Sequence, residues 1–131
     1  MRERSELMGR IRSINTKPEM CVRRLVHGMG YRYRLHAKDL PGRPDLVFRP
    51  RRKVIFVHGC FWHRHRGCLH NRMPKSPERL MYWRKKLNGN AIRDRKHYTV
   101  LRSMGWQVLV IWECETKEPD VVEEKVRLFL D

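Results

Sequence analysis

Within nine residues, CFWHRHRGC sets two thiols and two imidazoles, Cys60, His63, His65 and Cys68, and Cys114 follows in WEC. Thiolate sulfur and neutral imidazole nitrogen are the donors of a tetrahedral Zn²⁺ site. Cys60, His65, Cys68 and Cys114 would fill all four positions, which makes such an ion structural rather than catalytic. The competing reading is a set of buried thiols beside surface histidines, because C-x₄-H-x₂-C is not a common finger spacing. Cys21, on an expected helix, is most simply a core thiol.

A second chemistry needs carboxylates, and acids are scarce here. The 131 residues carry 30 Lys+Arg against 14 Asp+Glu, a net charge of +16. The split is uneven: Glu113 to Asp131 hold seven acids and three bases, leaving 27 bases and 7 acids, a local +20, in residues 1–112. Each of those seven acids, Glu3, Glu6, Glu19, Asp39, Asp45, Glu78 and Asp94, therefore calls for an explanation. Asp45 falls where a turn becomes a strand, and a carboxylate there can hold a divalent cation against a phosphodiester; the plainer alternative is a turn-forming Asp after Pro. His58 and His63 bracket Cys60, and a neutral histidine can take the proton of an attacking water, with an acid such as Glu19 to orient it.

Phe61 and Trp62 are adjacent aromatics in a polar, basic stretch, outside any strand or helix period. They read either as a wedge inserted into stacked bases or as a cover over the zinc site. Trp83, beside Arg84, Lys85 and Lys86, carries the same ambiguity, whereas Trp106 and Trp112 belong to an expected strand.

The elements that must position these residues follow from punctuation and period. Residues 1–15 read as a basic N-terminal arm. Thr16-Lys17-Pro18-Glu19 opens a helix that ends at Gly28 or Gly30. Tyr31 to Leu35, Asp45 to Phe48, and Lys53 to Val57 read as strands, with a basic hairpin turn at Arg51 to Lys53. Two helices are expected at Glu78 to Leu87 and Ala91 to Met104, then a buried strand from Trp106 to Trp112 and a terminal helix from Pro119 to Leu130. The order α-β-β-β-α-α-β-α predicts one α/β domain with a mixed central sheet flanked by helices. If the third and last strands are neighbours, Cys114 reaches the Cys60 cluster. The charge predicts a polyanion partner, with a plain solubility role as the alternative. No apolar run approaches the ~20 residues of a membrane span, and MRERSELMGRIRS lacks the apolar core of a signal peptide, so a cytoplasmic location is expected.

LPGRPDLVF, VIFVHGCFWHRH, the N-x-x-R-D of Asn90 to Asp94, and GWQVLVIWEC, in this order and spacing, resemble the very short patch repair (Vsr) endonuclease family. The likeness runs from about Met8 to about Glu115. It implies a restriction-endonuclease-like fold, a PD-(D/E)xK variant with histidines in place of the Lys. It also implies an enzyme that nicks duplex DNA 5′ of the thymine in T:G mismatches left by deamination of 5-methylcytosine, initiating short-patch repair. By the same resemblance Asp45 binds the catalytic Mg²⁺, together with the backbone carbonyl of Val57. His63 is catalytic, Glu19 orients it, and His58 is a further active-site histidine. Cys60, His65, Cys68 and Cys114 hold the structural Zn²⁺. Arg66-Gly67 lengthen the family's spacing by one residue, so His63 and His65 both stand as candidates for the zinc histidine. Phe61, Trp62 and Trp83 would enter DNA from the major groove and Met8 from the minor groove. The implied partner is mismatched double-stranded DNA, with mismatch-repair proteins as candidate partners; the chain is expected to be a monomer associated with the nucleoid. The alternatives are a restriction-like nuclease of the same fold and a non-catalytic zinc-stapled nucleic-acid-binding module.

Overall fold

The structure is a computed structural model that describes residues 16–63, 65 and 76–131. Helix α1 (Lys17–Gly28) starts where the sequence places it: the Thr16 hydroxyl caps the Glu19 N–H, with Pro18 in the first turn. Three short strands follow, β1 (Arg34–Leu35), β2 (Leu46–Phe48) and β3 (Lys53–His58). A long helix α2 (Pro77–Ser103) leads into β4 (Gln107–Trp112), and α3 (Pro119–Leu130) closes the chain. The sheet order is β1-β2-β3-β4, with β1/β2 and β2/β3 antiparallel and β3/β4 parallel. It is the mixed sheet the element order predicts, and the parallel pairing ends with His58 opposite Trp112, which carries Cys114 towards Cys60.

Alternation along the strands divides the core between the two sheet faces. Leu46, Phe48, Ile55 and Ile111 pack with Val22 and Val26 of α1 and Val122, Val126 and Leu130 of α3. Val47, Val54 and Phe56 pack on the other side with Ala37, Leu40, Trp106 and Leu101 of α2. Both β2 and β3 are buried on two faces, so their sequences run apolar without interruption.

Two expectations differ. The first strand is only Arg34–Leu35, because it pairs with just two residues of β2 before His36 turns into left-handed backbone (φ 45°). The two expected helices are one helix of 27 residues, about 40 Å long. Asn88-Gly89-Asn90 does not break it: Gly89 faces open space, and the Asn90 amide donates to the Trp62 carbonyl (3.1 Å). Leu87 and Leu101, fully buried and nearly four turns apart, pin the helix on both sides of the glycine, against a penalty of about 1 kcal/mol. The hairpin between β2 and β3 contains a 3-10 turn (Arg49–Arg51) closed by Arg52 at φ 54°.

The loop before β2 shows why its motif contains glycine. Gly42 has φ 78°, and a Cβ there would lie 3.0 Å from the His97 ring of α2. The turn therefore docks on α2 only with no side chain at position 42, and that docking delivers Asp45 to the start of β2.

Candidate active site

Asp45 and Glu19 arrive from different elements and meet beside the sheet. The Val57 N–H of β3 donates to Asp45 Oδ2 at 2.7 Å. Glu19, in the first turn of α1, is 2% exposed; its Oε2 accepts from His36 Nε2 (2.7 Å) and from the Arg23 guanidinium one turn on. Burial pushes the Asp45 carboxyl up to about 8. The Val57 N–H and the Arg23 charge oppose that rise, and the nearby Glu19 carboxylate adds to it. Ligand atoms of Glu19, His36 and Asp45 lie close enough together to share one ion.

Two histidines form the second part. His58, at the end of β3, is buried, and its ring stacks on that of His63 with centroids 3.8 Å apart and planes 11° from parallel. His63 Nδ1 donates to Asp94 Oδ2 of α2 at 2.5 Å. His58 Nε2 lies 2.6 Å from the Tyr98 hydroxyl, one turn further along the same helix. Burial, then the neighbouring His63, hold the His58 imidazole well below its ordinary value, so the ring is neutral near pH 7.

The thiols form a third cluster. Cys60 is fully buried and its Sγ accepts from the Cys114 N–H (3.4 Å), while His65 Nδ1 lies 3.5 Å from Cys114 Sγ. That is the edge of a tetrahedron with bonds of about 2.3 Å to sulfur and 2.0 Å to nitrogen. The His65 ring is fixed by stacking on Trp112, 4.3 Å away and 6° from parallel. Cys60, His65 and Cys114 can thus take one ion among the described residues; Cys68 lies outside them, as does Met8. Of the two candidate zinc histidines, His65 faces the thiols and His63 faces Asp94.

Phe61, Trp62 and Trp83 meet in one aromatic group, with ring centroids 5.1 to 5.6 Å apart. All three are half-buried, and Lys86 Nζ sits 5.6 Å from the Trp83 ring centre. Two cavities flank His63. One of about 190 Å³ is lined by Trp62, His63, Lys86, Asn90, Arg93 and Asp94. The other, of about 230 Å³, has Val57 and Gly59 on one side, Trp62 and His63 on another, and Thr16 to Pro18 and Glu113 closing it.

The structure thus gathers Asp45 with Glu19, His58 with His63, Cys60 with His65 and Cys114, and the three aromatics. One assignment changes. The carboxylate on His63 is Asp94, not Glu19, because Glu19 is engaged by Arg23 and His36 on the α1 side while α2 brings Asp94 onto the imidazole. Asp94 carried a signal, as an acid in the basic part of the chain within N-x-x-R-D. His36 and Tyr98 carried none, since nothing local in the sequence reports their partners 17 and 40 residues away.

A family model described as DNA mismatch endonuclease Vsr matches residues 1–69. The type II nicking enzyme V.XorIIP of Xanthomonas oryzae pv. oryzae is 51% identical over 128 residues, covering 98% of this chain and 92% of that protein. The type II nicking enzyme V.NmeAIP of Neisseria meningitidis serogroup A is 40% identical over 124 residues, 95% of this chain and 86% of that one. The DNA mismatch endonuclease Vsr of Escherichia coli is 40% identical over 111 residues, 85% of this chain and 69% of its own length.

Proposed function

Because the chain belongs to the Vsr family of DNA mismatch endonucleases, we propose that it is a Mg²⁺-dependent enzyme that nicks duplex DNA 5′ of the thymine in T:G mismatches. The observation that carries this reading is the cavity of about 230 Å³ between Val57, whose N–H anchors Asp45, and His63, whose Nδ1–H is anchored by Asp94. A scissile phosphate there has a carboxylate site on one side and a proton acceptor on the other, with Lys17 on the wall.

Asp45 and the Val57 carbonyl would hold Mg²⁺, with Glu19 beside them. Two carboxylates crowded together, one kept protonated to about pH 8 chiefly by burial, form a set of hard oxygen donors suited to a divalent cation. Bound there, Mg²⁺ supplies charge for the phosphate and acidifies a water. With its proton fixed on Nδ1 by Asp94, His63 presents the Nε2 lone pair to take a proton from water. His58 stacks on that ring and hinders its rotation. Cys60, His65, Cys114 and, from the sequence, Cys68 would hold a structural Zn²⁺ that fixes the loop carrying Phe61, Trp62 and His63.

Selectivity is assigned to Phe61, Trp62 and Trp83. Separating a stacked base step costs a few kcal/mol, and less at a wobble pair, so an aromatic wedge favours T:G before any base edge is read. The names of the nicking-enzyme relatives support cutting of one strand. The test uses end-labelled duplexes carrying T:G or C:G at one position in a set of flanking sequences. The expected product is a Mg²⁺-dependent nick 5′ of the mispaired thymine. Equal cutting of C:G duplexes would establish a restriction-like nuclease instead, and tight binding without any nick would establish a binding module.

A further inference from the structure

Helix α2 presents Asp94 and Tyr98 one turn apart, and each contacts one ring of the stacked histidine pair. Asp94 has an assigned part in the reading above; Tyr98 has none. From this geometry we infer that Tyr98 is a positioning residue that donates its hydroxyl proton to His58 Nε2 and so holds His58 in the tautomer protonated at Nδ1. The inference rests on the nuclease reading for its functional consequence, but its structural content stands apart from it.

The direction of the hydrogen bond follows from what each group can do. A neutral imidazole has one donor and one acceptor nitrogen, and His58 is buried with its Nε2 4.0 Å from the Asp94 carboxylate, outside hydrogen-bond distance, so the Tyr98 hydroxyl is the group that decides which nitrogen carries the proton. If Nε2 carried the proton, the half-buried Tyr98 hydroxyl would accept it and its own proton would need a second acceptor. Among the described residues, the hydrogen bond of that hydroxyl is the one to His58, at 2.6 Å. Tyr98 keeps its proton firmly: burial, then the nearby Asp94 charge, raise the phenol above its ordinary range. Its ring is held edge-on against Phe56, with centroids 5.3 Å apart, so the hydroxyl is aimed by packing. With Nε2 occupied, Nδ1–H is the group His58 can offer, and it has no hydrogen-bond partner among the described residues. The pair therefore becomes complementary: His63 bound at Nδ1 with Nε2 left to accept, His58 bound at Nε2 with Nδ1–H left to donate.

The test is ¹⁵N-edited NMR of the imidazoles in the full-length protein, read at pH 7.5 for the wild type and Tyr98→Phe. His58→Ala assigns the signal, and a circular dichroism melt checks that Tyr98→Phe folds. The expected result is the Nδ1–H tautomer in the wild type, with a mixture of at least one part in five Nε2–H in Tyr98→Phe, while His63 stays protonated at Nδ1. The single-turnover nicking rate on T:G duplex should fall about tenfold with DNA affinity within twofold. A wild-type His58 protonated at Nε2, or a tautomer ratio unchanged in Tyr98→Phe, overturns the inference. A shifted tautomer with no loss of nicking in either Tyr98→Phe or His58→Ala leaves the hydrogen bond standing and overturns the positioning role given to His58 beside His63.

Discussion

Replacing Asp45 with Asn should remove the nuclease activity and, at the same time, stabilise the metal-free fold. In the folded chain the Asp45 carboxyl ionises near 8, against 3.8 unperturbed, because it is buried and faces Glu19. The folded state therefore retains a proton that the unfolded chain has already released. Below about pH 4 both states are protonated and the group is neutral to stability. As pH rises from 3.8 to about 8, unfolding is progressively favoured, and above that the full penalty is present. At about 1.4 kcal/mol per pH unit, the gap sets a ceiling of about 6 kcal/mol. Asp45 keeps some contact with solvent and is supported by Val57 N–H and Arg23, so a realistic gain for Asn is about 1–3 kcal/mol at pH 8. For a domain of this size that is a rise of roughly 4–10 °C in Tm. Asn keeps an oxygen to accept from Val57, so this hydrogen bond survives. The assay is thermal melting by circular dichroism in Mg²⁺-free buffer, in steps from pH 4.5 to 8.5. The difference between variant and wild type should grow with pH, and added Mg²⁺ should raise the wild type alone. A difference that does not change with pH, or a wild type more stable at pH 8, would refute the account of a carboxyl whose ionisation is penalised by burial beside Glu19.

Three further outcomes are expected. Asp94→Ala should lower the single-turnover nicking rate at least a hundredfold while DNA binding by fluorescence anisotropy stays within a few-fold, since the His63 tautomer loses its anchor; an unchanged rate would show that this contact does not orient His63. Gly42→Ala should destabilise the fold by about 2–4 kcal/mol in urea titrations, combining the left-handed backbone (φ 78°) with a 3.0 Å approach to the His97 ring. His97→Ala in that background should recover only part of the loss; full recovery would mean that the backbone contributes nothing. Cys114→Ala should reduce bound zinc, measured by elemental analysis, and lower the Tm, because the cluster loses the thiol that His65 faces while the backbone N–H to Cys60 remains; full zinc content would show that Cys114 is not a ligand.

Local signals located the elements well where chemistry and period agree. Thr16, Pro18 and Glu19 fix the start of α1, and the unbroken apolar runs of β3 and β4 fix the buried parallel pair. Asn88-Gly89-Asn90 misled because its turn character is a local preference, whereas the helix there is pinned by Leu87, Leu101 and the Trp62 carbonyl. The same distinction governs the site. Cys60, His65 and Cys114 are legible by type, and the aromatics by their place outside any period. Which carboxylate touches which histidine is not legible, because Glu19 and Asp94 are both isolated acids in a basic chain. Only the helices that carry them, α1 on one side of the sheet and α2 on the other, decide that Glu19 meets Asp45 and Asp94 meets His63.

The continuity of α2 is the finding with the widest consequence. Two separate helices would have left Trp83 and Asp94 on independent bodies. As one helix, it holds the aromatic group and the histidine clasp in fixed register, eleven residues or about 16 Å apart along the axis. Trp62 ties the other strand of the connection: its ring lies against Trp83, and its carbonyl accepts from Asn90 midway along the same helix. The next residue is His63, bonded to Asp94. Any displacement of Trp62 or Trp83 by a DNA base step must therefore move the helix as a unit or strain the His63–Asp94 hydrogen bond. The excess of positive charge can hold duplex DNA of any sequence by its phosphates. In the proposed mechanism, selective cutting would follow because Trp83 of the wedge and Asp94, which anchors the proton acceptor His63, share one helix, so the catalytic geometry would depend on how the wedge is seated.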